Sequence, residues 1–439
     1  MLVISSVNHT ASLGKGWGCL HETQDQRAIT APITAFSAVA LTPEDLPELV
    51  ARAFAVFDGE RPRPVHISVP LDVLAAPISR DWSSEVVRRP GHGLPAGDAL
   101  QAAANRLATA KRPMIIAGGG ALGGADALQA VSERLAAPVF TSVAGKGLLP
   151  PEAPLNAGSS LCMAPGWEMI AEADVVLAVG TEMADTDFWR ERLPLTGELI
   201  RVDIDPRKFN DFYPCTVALK GDARQTLEAL LVHLPAAGRA GEAAVARVDR
   251  LREAIRNGHG PLQAIHQAIL DRIAAVLPAN AFISTDMTQL AYTGNYAFAS
   301  RAPRSWLHPT GYGTLGYGLP AGIGAKFGAP TRPGLVLVGD GGFLYTVQEL
   351  ATAVEELDSP LVVLLWNNDA LGQIRDDMLA LDIEPLGVLP RNPDFAGLAR
   401  AFGCAVQQPQ SLDELERDLR TGFGHPGITL IELKHACAR

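Results

Sequence analysis

Two oxygen-bearing side chains with a defined spacing are the first residues in this sequence that could do chemistry. Asp340 stands between two glycines, and Asn368 follows it after 28 positions as the second residue of an Asn-Asn pair. Carboxylate and amide oxygens are hard ligands that suit Mg²⁺ or Ca²⁺ rather than Zn²⁺. The two residues therefore predict a divalent-cation site, against the alternative that both segments are ordinary turns.

The glycines that follow Asp340 favour a phosphate beside this cation. Gly341 and Gly342 have no Cβ atom, so their N–H groups can approach a phosphate closely. A Mg²⁺ ion held by only two side chains completes its octahedron with waters, a backbone carbonyl and phosphate oxygens. The segment therefore predicts a clamp for a metal ion and a diphosphate.

Predicted secondary structure brings the two candidate ligands to one place. The apolar run from Gly334 to Val338 indicates a buried strand, Val347 to Leu357 has helical periodicity, and Leu361 to Trp366 indicates a second strand. Parallel strands joined through a helix end at the same edge of their sheet, which is where open α/β sheets bind ligands. We therefore expect Asp340 and Asn368 to lie at neighbouring strand ends.

With these motifs the chain resembles, over its whole length, the thiamine diphosphate enzymes of the acetohydroxyacid synthase and 2-oxo acid decarboxylase superfamily. The resemblance implies thiamine diphosphate and Mg²⁺ as cofactors, with the ion held by Asp340, Asn368 and the backbone carbonyl of Ala370. The family's cofactor lies between two subunits, so the resemblance also implies a homodimer or homotetramer.

The resemblance implies cofactor contacts from three segments of the chain. The expected cofactor-binding residues are Met287, Thr288, Gln289, Gly313, Leu315, Gly341, Gly342 and Asn368. The first three belong to a loop that touches the diphosphate in the family. The carbonyl of Gly313 and the N–H of Leu315 would bond the aminopyrimidine, and the Leu315 side chain would form a wedge between the two rings.

Composition and charge exclude several classes of function. The chain has 47% hydrophobic and 19% charged residues, which permits large buried cores, and its net charge of −11 argues against a nucleic-acid partner. It has no uninterrupted apolar run of about 18 residues and no signal peptide pattern, so we expect no membrane span. The five scattered cysteines fit reduced thiols in the cytoplasm.

Strands and helices are predicted to alternate along the whole sequence, which indicates the α/β class with parallel sheets. We expect three doubly wound parallel-sheet domains of the thiamine diphosphate-binding fold, over residues 1–85, 96–235 and 261–439. The first would be only the C-terminal part of a pyrimidine-binding domain and therefore incomplete. A linker from about Ala75 to Ala96 and a charged helix from Arg239 to Arg256 would separate the three domains.

One residue that the resemblance requires has no counterpart. In the family, an activating Glu lies early in the pyrimidine-binding domain, before the part that this sequence matches. Glu22 cannot replace it, because Glu22 aligns with a later loop of that domain. A truncated gene model, a separate upstream chain or a shortened enzyme would explain this. We expect the 439 residues alone to have no decarboxylase activity, and a non-catalytic fragment remains an alternative.

A glycine-rich run in the central domain could be mistaken for a dinucleotide site. Gly118 to Gly123 follows a predicted strand and precedes a helix, but the acidic residue expected roughly 20 residues later is missing. The resembled synthases bind FAD in this domain, with Arg after the strand that ends here at Gly180. This chain has no Arg there before Arg190, so we do not expect FAD.

Two further features bear on the substrate, which the resemblance implies is a small-molecule 2-oxo acid. His21 lies where the synthases have Gln, and it is a candidate catalytic proton donor or carboxylate contact; the alternative is a surface histidine. Residues of a helix that lines the family's substrate pocket are candidate substrate contacts, namely Gln373, Ile374, Asp376 and Asp377.

The adjacent acids favour a substrate with a cationic tail, because carboxylate–guanidinium pairs are bidentate and directional. Acidic residues that only complement the helix macrodipole are the alternative. The pattern is similar to that of decarboxylases of 5-guanidino-2-oxopentanoate, so we expect non-oxidative decarboxylation of that 2-oxo acid. An acetolactate synthase-like carboligase is the alternative among enzymes.

Overall fold

The α/β class and the parallel sheets expected from the sequence are confirmed in the computed structural model. It describes residues 1–79, 81–82, 91, 93–236, 238 and 241–438. The strands described form three sheets, and every strand pair in them is parallel. The chain divides into two compact units, one of residues 1–94 with 204–207 and 220–222, and one of the remaining residues.

The first unit is built on a three-stranded sheet of order β1-β3-β2. Its elements in chain order are β1 (Leu2–Val7), α1 (Gln26–Thr30), β2 (Ser37–Val39), α2 (Asp45–Gly59), β3 (Val65–Pro70) and α3 (Leu71–Ala75). All six residues of the middle strand β3 are buried, as an apolar strand between two neighbours requires. Residues 80, 83–90 and 92 of the linker predicted after α3 lie outside the described residues.

The second unit contains two six-stranded parallel sheets, of which the first has the order β6-β5-β4-β7-β8-β9. Its strands are β4 (Pro113–Ala117), β5 (Val139–Thr141), β6 (Asn156–Gly158), β7 (Val175–Val179), β8 (Glu198–Asp203) and β9 (Val217–Lys220). The helices around it are α4 (Gly97–Thr109), α5 (Ala125–Leu135), α6 (Ala164–Ala171), α7 (Asp185–Phe188) and α8 (Ala223–His233). Separate apolar clusters cover its two faces, as in a doubly wound fold.

A charged helix, α9 (Glu242–Asn257), connects this sheet to the second one, of order β11-β10-β12-β13-β15-β14. The strands of the latter are β10 (Phe282–Thr285), β11 (Trp306–Leu307), β12 (Gly334–Gly339), β13 (Leu361–Asn367), β14 (Ala405–Gln407) and β15 (Ile428–Lys434). Its helices are α10 (Pro261–Val276), α11 (Gln289–Ala297), α12 (Gly318–Gly328), α13 (Asp340–Thr346), α14 (Glu349–Glu356), α15 (Gly372–Ala380), α16 (Phe395–Ala401) and α17 (Leu412–Gly424).

The helix predicted over Val347 to Leu357 is present as α14, from Glu349 to Glu356. The sequence pattern missed a shorter helix before it, α13, which begins at Asp340 itself. Gly339 is extended at the N-cap position, so the chain turns into a helix directly at the strand end. Gly341 and Gly342 have low helix propensity, so sequence propensities do not predict a helix here. Asp340 lies in the first turn, where the helix dipole favours an acidic side chain.

Within the part of the chain that the structure describes, no helix combines the length and apolar character needed to cross a membrane.

Candidate active site

The carboxylate of Asp340 lies at the C-terminal end of β12, as the sequence predicted, and only 2% of the residue is exposed. Its Oδ2 accepts a hydrogen bond of 2.7 Å from Asn392 Nδ2, and its Oδ1 accepts one of 3.0 Å from the Gly341 N–H. Burial raises the pKa of Asp340, and these two hydrogen bonds oppose the rise. The carboxylate is therefore held in place but poorly solvated, a state that a cation would relieve.

Asn392 was missed by the sequence reasoning. Its Nδ2 lies 2.7 Å from Asp340 Oδ2, 3.1 Å from Asn367 Oδ1 and 3.1 Å from Asp369 Oδ1. Three oxygens at the ends of β12 and β13 thus converge on one amide nitrogen. Such a set of hard oxygens fits Mg²⁺. The only local signal for Asn392 was an Asn-Pro turn in a segment without periodicity.

The other two predicted metal ligands follow the neighbouring strand, because β12 and β13 pair in parallel with Gly339 opposite Trp366. Asn368 is half-buried, and its Oδ1 accepts a hydrogen bond of 3.2 Å from the N–H of Ala370. The backbone of Ala370 also hydrogen-bonds Asp340. The structure therefore gathers all three residues at one edge of the sheet, and their role as metal ligands remains a prediction.

Asp286, the residue before the predicted diphosphate-contacting loop, joins the predicted cofactor loops. Its carboxylate accepts hydrogen bonds from the N–H groups of Met287 at 2.8 Å, Gly316 at 3.2 Å and Gly318 at 2.9 Å. A Cβ atom on Gly342 would lie 2.8 Å from Asp286 Oδ1. One buried side chain thus brings together the loops that carry the three predicted groups of cofactor-binding residues.

Close packing explains two glycines at this edge. A Cβ atom on Gly341 would lie 2.6 Å from Leu371 Cδ2, so a larger residue would displace the loop after β13. Gly313 has a φ of 64°, in the left-handed region that favours glycine, and a Cβ there would lie 3.3 Å from Met287 Cε. Leu315, the predicted wedge, is half-buried. Its position between the rings of a cofactor remains a prediction.

A polar network links the predicted diphosphate loop to α15. Gln289 Nε2 donates a hydrogen bond of 2.7 Å to Asp376 Oδ2, and Asn368 Nδ2 lies 3.5 Å from Gln289 Oε1. Arg375 donates to Asp376 Oδ1 through Nε at 3.0 Å and Nη2 at 2.8 Å. Both carboxylate oxygens of Asp376 therefore have partners inside the chain.

Asp377 is placed differently from Asp376. It is exposed, and its Oδ1 accepts a hydrogen bond of 2.9 Å from Gln373 Nε2. Within the described parts of the chain, no hydrogen bond reaches its Oδ2. Ile374 on the same helix is 48% exposed. Of the four predicted substrate contacts, Asp377 thus has a carboxylate oxygen that is free to meet a ligand.

His21 belongs to the first unit, and its geometry is described there alone. It is exposed, with a φ of 61°, beside a tight loop organised by Glu22. The Glu22 carboxylate accepts backbone hydrogen bonds from four residues, which are Gly16, Trp17, Gly18 and Cys19. Glu22 therefore stabilises the loop, and a catalytic role for His21 remains a prediction.

Comparison with known proteins agrees with this geometry. The family model of the thiamine pyrophosphate enzyme central domain matches residues 100–230, and that of the C-terminal TPP binding domain matches residues 286–433. The second match contains the loops of Asp286, Asp340 and Asn368. The sequence-based resemblance to this family is therefore confirmed, and its C-terminal domain is one that binds thiamine diphosphate.

Similar proteins cover nearly the whole chain. The chain is 83% identical to the probable 2-ketoarginine decarboxylase AruI of Pseudomonas aeruginosa, over all of this chain and 78% of that protein. It is 30% identical to a probable acetolactate synthase large subunit of Methanocaldococcus jannaschii, over 90% of this chain and 70% of the relative. It is 28% identical to the acetolactate synthase isozyme 1 large subunit of Escherichia coli, over 93% of this chain and 74% of that protein. The chain belongs to the thiamine pyrophosphate enzyme family.

Proposed function

We propose that this protein catalyses the thiamine diphosphate- and Mg²⁺-dependent, non-oxidative decarboxylation of 5-guanidino-2-oxopentanoate. The structural observation that supports it most is Asp377, an exposed carboxylate with a free oxygen on α15. The resemblance places this helix in the substrate pocket, with a Trp of the synthases at about this position. The 83% identity to a probable 2-ketoarginine decarboxylase supports the same substrate.

In this proposal Asp340, Asn368 and the Ala370 carbonyl hold Mg²⁺, which bridges to the diphosphate. The bound cofactor supplies the electron sink for loss of CO₂. The Gly313 carbonyl and the Leu315 N–H orient the aminopyrimidine. Asp286 keeps the loops that contribute these groups in register through three backbone hydrogen bonds.

Recognition of the substrate's distal end would rest on charge. A guanidinium and a carboxylate can form two parallel N–H···O bonds, which gives direction as well as energy. Inside the chain, Arg375 donates two hydrogen bonds to Oδ1 of Asp376 and Gln289 donates one to its Oδ2, so that carboxylate is occupied. We therefore assign Asp377 to the substrate. Gln373 would orient it through their hydrogen bond of 2.9 Å, and Ile374 would contact the aliphatic part.

His21 is proposed as the proton donor or as the contact for the substrate carboxylate. It is exposed in the first unit, and its left-handed backbone conformation at φ 61° fixes the turn that presents it. The carboxylate of the neighbouring Glu22 accepts hydrogen bonds from four backbone N–H groups, so we do not assign it the activating role of the family's Glu.

The experiment compares three 2-oxo acids with the Mg²⁺- and thiamine diphosphate-loaded protein, supplied with a segment that carries the family's activating Glu, because we expect the 439 residues alone to be inactive. CO₂ release and carboligation products would be measured for 5-guanidino-2-oxopentanoate, pyruvate and benzoylformate. We expect the highest kcat/KM with the guanidino acid and an aldehyde as its product. A preference for pyruvate with acetolactate as product would replace the proposal by a carboligase, the second candidate that the identities of about 30% to acetolactate synthases favour.

We propose that the glycine-rich turn after β4 is structural and does not bind FAD. A Cβ atom on Gly120 would lie 2.9 Å from Gly180 Cα, so the glycines permit close packing of two turns. After Gly180 this chain has no Arg before Arg190, whereas the FAD-binding synthases carry an Arg in that segment. Flavin absorbance in the purified protein would contradict this proposal.

We also propose a homodimer or homotetramer in the cytoplasm. The family's subunit-bridging cofactor supports the oligomer, and five cysteines without a disulfide support a reducing compartment. Light scattering coupled to size-exclusion chromatography of the cofactor-loaded protein tests the first point, because a monomer would contradict it.

A further inference from the structure

A cavity of about 420 Å³ in the second unit is separate from the site described above. It lies between the loops around β5 and β6, the C-terminal half of α9 and the C-terminal end of α11. None of the predicted cofactor, metal or substrate residues lines it. The predicted diphosphate loop leads into the first turn of α11, whereas the cavity meets the last residues of the same nine-residue helix, about 13 Å away.

The walls of this cavity carry positive charge. Lys146, Arg252 and Arg256 line it, and no Asp or Glu does so among the described residues. Lys146 Nζ is fixed by the carbonyls of Gly294, Asn295 and Phe298, at 3.1, 2.8 and 2.6 Å. Burial lowers the pKa of Lys146 to about 7, so this residue is only partly charged at neutral pH and the permanent positive charge comes from Arg252 and Arg256. The cavity therefore has a potential that attracts anions.

The second cation is held in a similar way. Arg252 Nη2 donates to the carbonyls of Ala153 at 3.1 Å and Asn156 at 2.8 Å, and its Nη1 lies 3.8 Å from the exposed carboxylate of Asp249. Arg256 follows one helical turn later on α9 and is exposed, with no ion pair among the described residues. Arg256 is thus the cation at the cavity with free hydrogen-bond donors.

Two buried polar groups that line the cavity lack partners. Ser300 is 7% exposed, and its Oγ has no hydrogen-bond partner among the described residues. Within the same part of the chain, the buried Nε2 atom of His259 also lacks a partner, while the His259 ring packs edge-on against Tyr296 at 5.8 Å. Burial lowers the pKa of His259, so the imidazole is neutral near pH 7. Unsatisfied buried polar groups are rare and need an explanation such as a ligand.

The lining also contains apolar side chains, among them Leu149, Ile255 and Phe298, beside further polar residues. A volume of this size falls in the range of small-molecule sites, where a few polar groups fix an otherwise apolar ligand. We propose that this cavity binds a small organic carboxylate with an apolar body. Its carboxylate meets Arg256, His259 and Ser300, and its body packs on the apolar wall.

The test uses the cofactor-loaded full chain, with 3-phenylpropanoate as the probe. Inorganic phosphate is titrated in a parallel experiment, and sodium chloride keeps the ionic strength equal in both. Titration calorimetry should show saturable binding of 3-phenylpropanoate that persists when the active site is saturated with a 2-oxo acid. Arg256→Gln and Ser300→Ala should each weaken it by about tenfold, as expected for a lost hydrogen bond to a charged group. Both residues can be changed without breaking a bond inside the protein.

Arg250→Gln is the matched control, because Arg250 is exposed on the same helix but does not line the cavity. It should leave the affinity unchanged. Equal weakening by the control would show a general charge effect and overturn the proposal. So would displacement of the probe by the 2-oxo acid, saturable binding of phosphate alone, or no saturable binding at all.

Discussion

Gln289 and Asp376 are joined by a hydrogen bond of 2.7 Å from the amide Nε2 to the carboxylate Oδ2. The first residue begins α11, directly after the loop predicted to touch the diphosphate, and the second lies in α15, which the resemblance assigns to the substrate pocket. Because Asn368 also contacts Gln289, one amide connects the metal loop with the substrate helix. In our proposal the two adjacent acids of α15 therefore have different tasks, with Asp376 positioning the loops and Asp377 meeting the substrate.

The first prediction separates these tasks. Asp377→Asn should lower kcat/KM for 5-guanidino-2-oxopentanoate by about 10²-fold, as expected for a lost charge-assisted pair worth roughly 3 kcal/mol. Activity on pyruvate should be unchanged or higher, because a neutral side chain suits a small apolar substrate better. Steady-state kinetics on both substrates would measure this.

Asp376→Asn is the matched control for that prediction. The amide keeps an oxygen for Gln289 but loses its charge pairing with Arg375, which then becomes free. We expect its effects on the two substrates to be similar in size. If Asp376→Asn rather than Asp377→Asn proved selective for the cationic substrate, the assignment of the two acids would have to be exchanged.

The second prediction concerns the metal. Asp340→Ala should abolish Mg²⁺-dependent binding of thiamine diphosphate, because the cation that bridges protein and diphosphate would lose its charged ligand. Calorimetric titration of cofactor with and without Mg²⁺ would measure it. Asp358→Ala, at an exposed turn, is the control and should bind normally. Unchanged affinity in Asp340→Ala would disprove the metal site.

The third prediction concerns Leu315. Its side chain is half-buried, so Leu315→Ala should weaken thiamine diphosphate binding by about 1–2 kcal/mol, less than the loss of a fully buried leucine. The metal ligands are untouched, so the Mg²⁺ dependence of binding should be retained. Competitive titration with the cofactor would show both effects. Loss of the Mg²⁺ dependence would mean that Leu315 supports the metal loop instead.

Local sequence patterns identified the strand ends and the two candidate ligands, because short apolar runs bounded by Pro and Gly residues have the length and flanking residues of buried parallel strands. They did not identify α13, since Gly341 and Gly342 are poor helix formers whose conformation is fixed by packing against Leu371 and Asp286. The contact between Asn392 and Asp340 could not be predicted either, because Asn392 lies in an irregular segment 52 residues after Asp340. Contacts between distant segments depend on the tertiary fold, which no local periodicity encodes.

The last prediction is a pH dependence of stability at Asp187. Burial raises the pKa of Asp187 to about 6, with the nearby carboxylates of Glu182 and Asp185 adding to the rise and a hydrogen bond from the Val143 N–H opposing it. A folded-state pKa above the unfolded value of 3.8 means that the protonated form favours folding. That contribution is complete below the unfolded value and is lost as the pH rises through about 6.

Asp187→Asn resembles the protonated form at every pH and can keep the bond from Val143, which is 3.2 Å long. The variant should therefore exceed the parent in unfolding free energy by up to about 3 kcal/mol above this pH range, with the difference shrinking as the pH falls. Denaturant unfolding across this range would measure it, with the exposed Asp126→Asn as control. A gain that does not change with pH would show that the amide stabilises by packing and that the carboxylate is not strained by its burial.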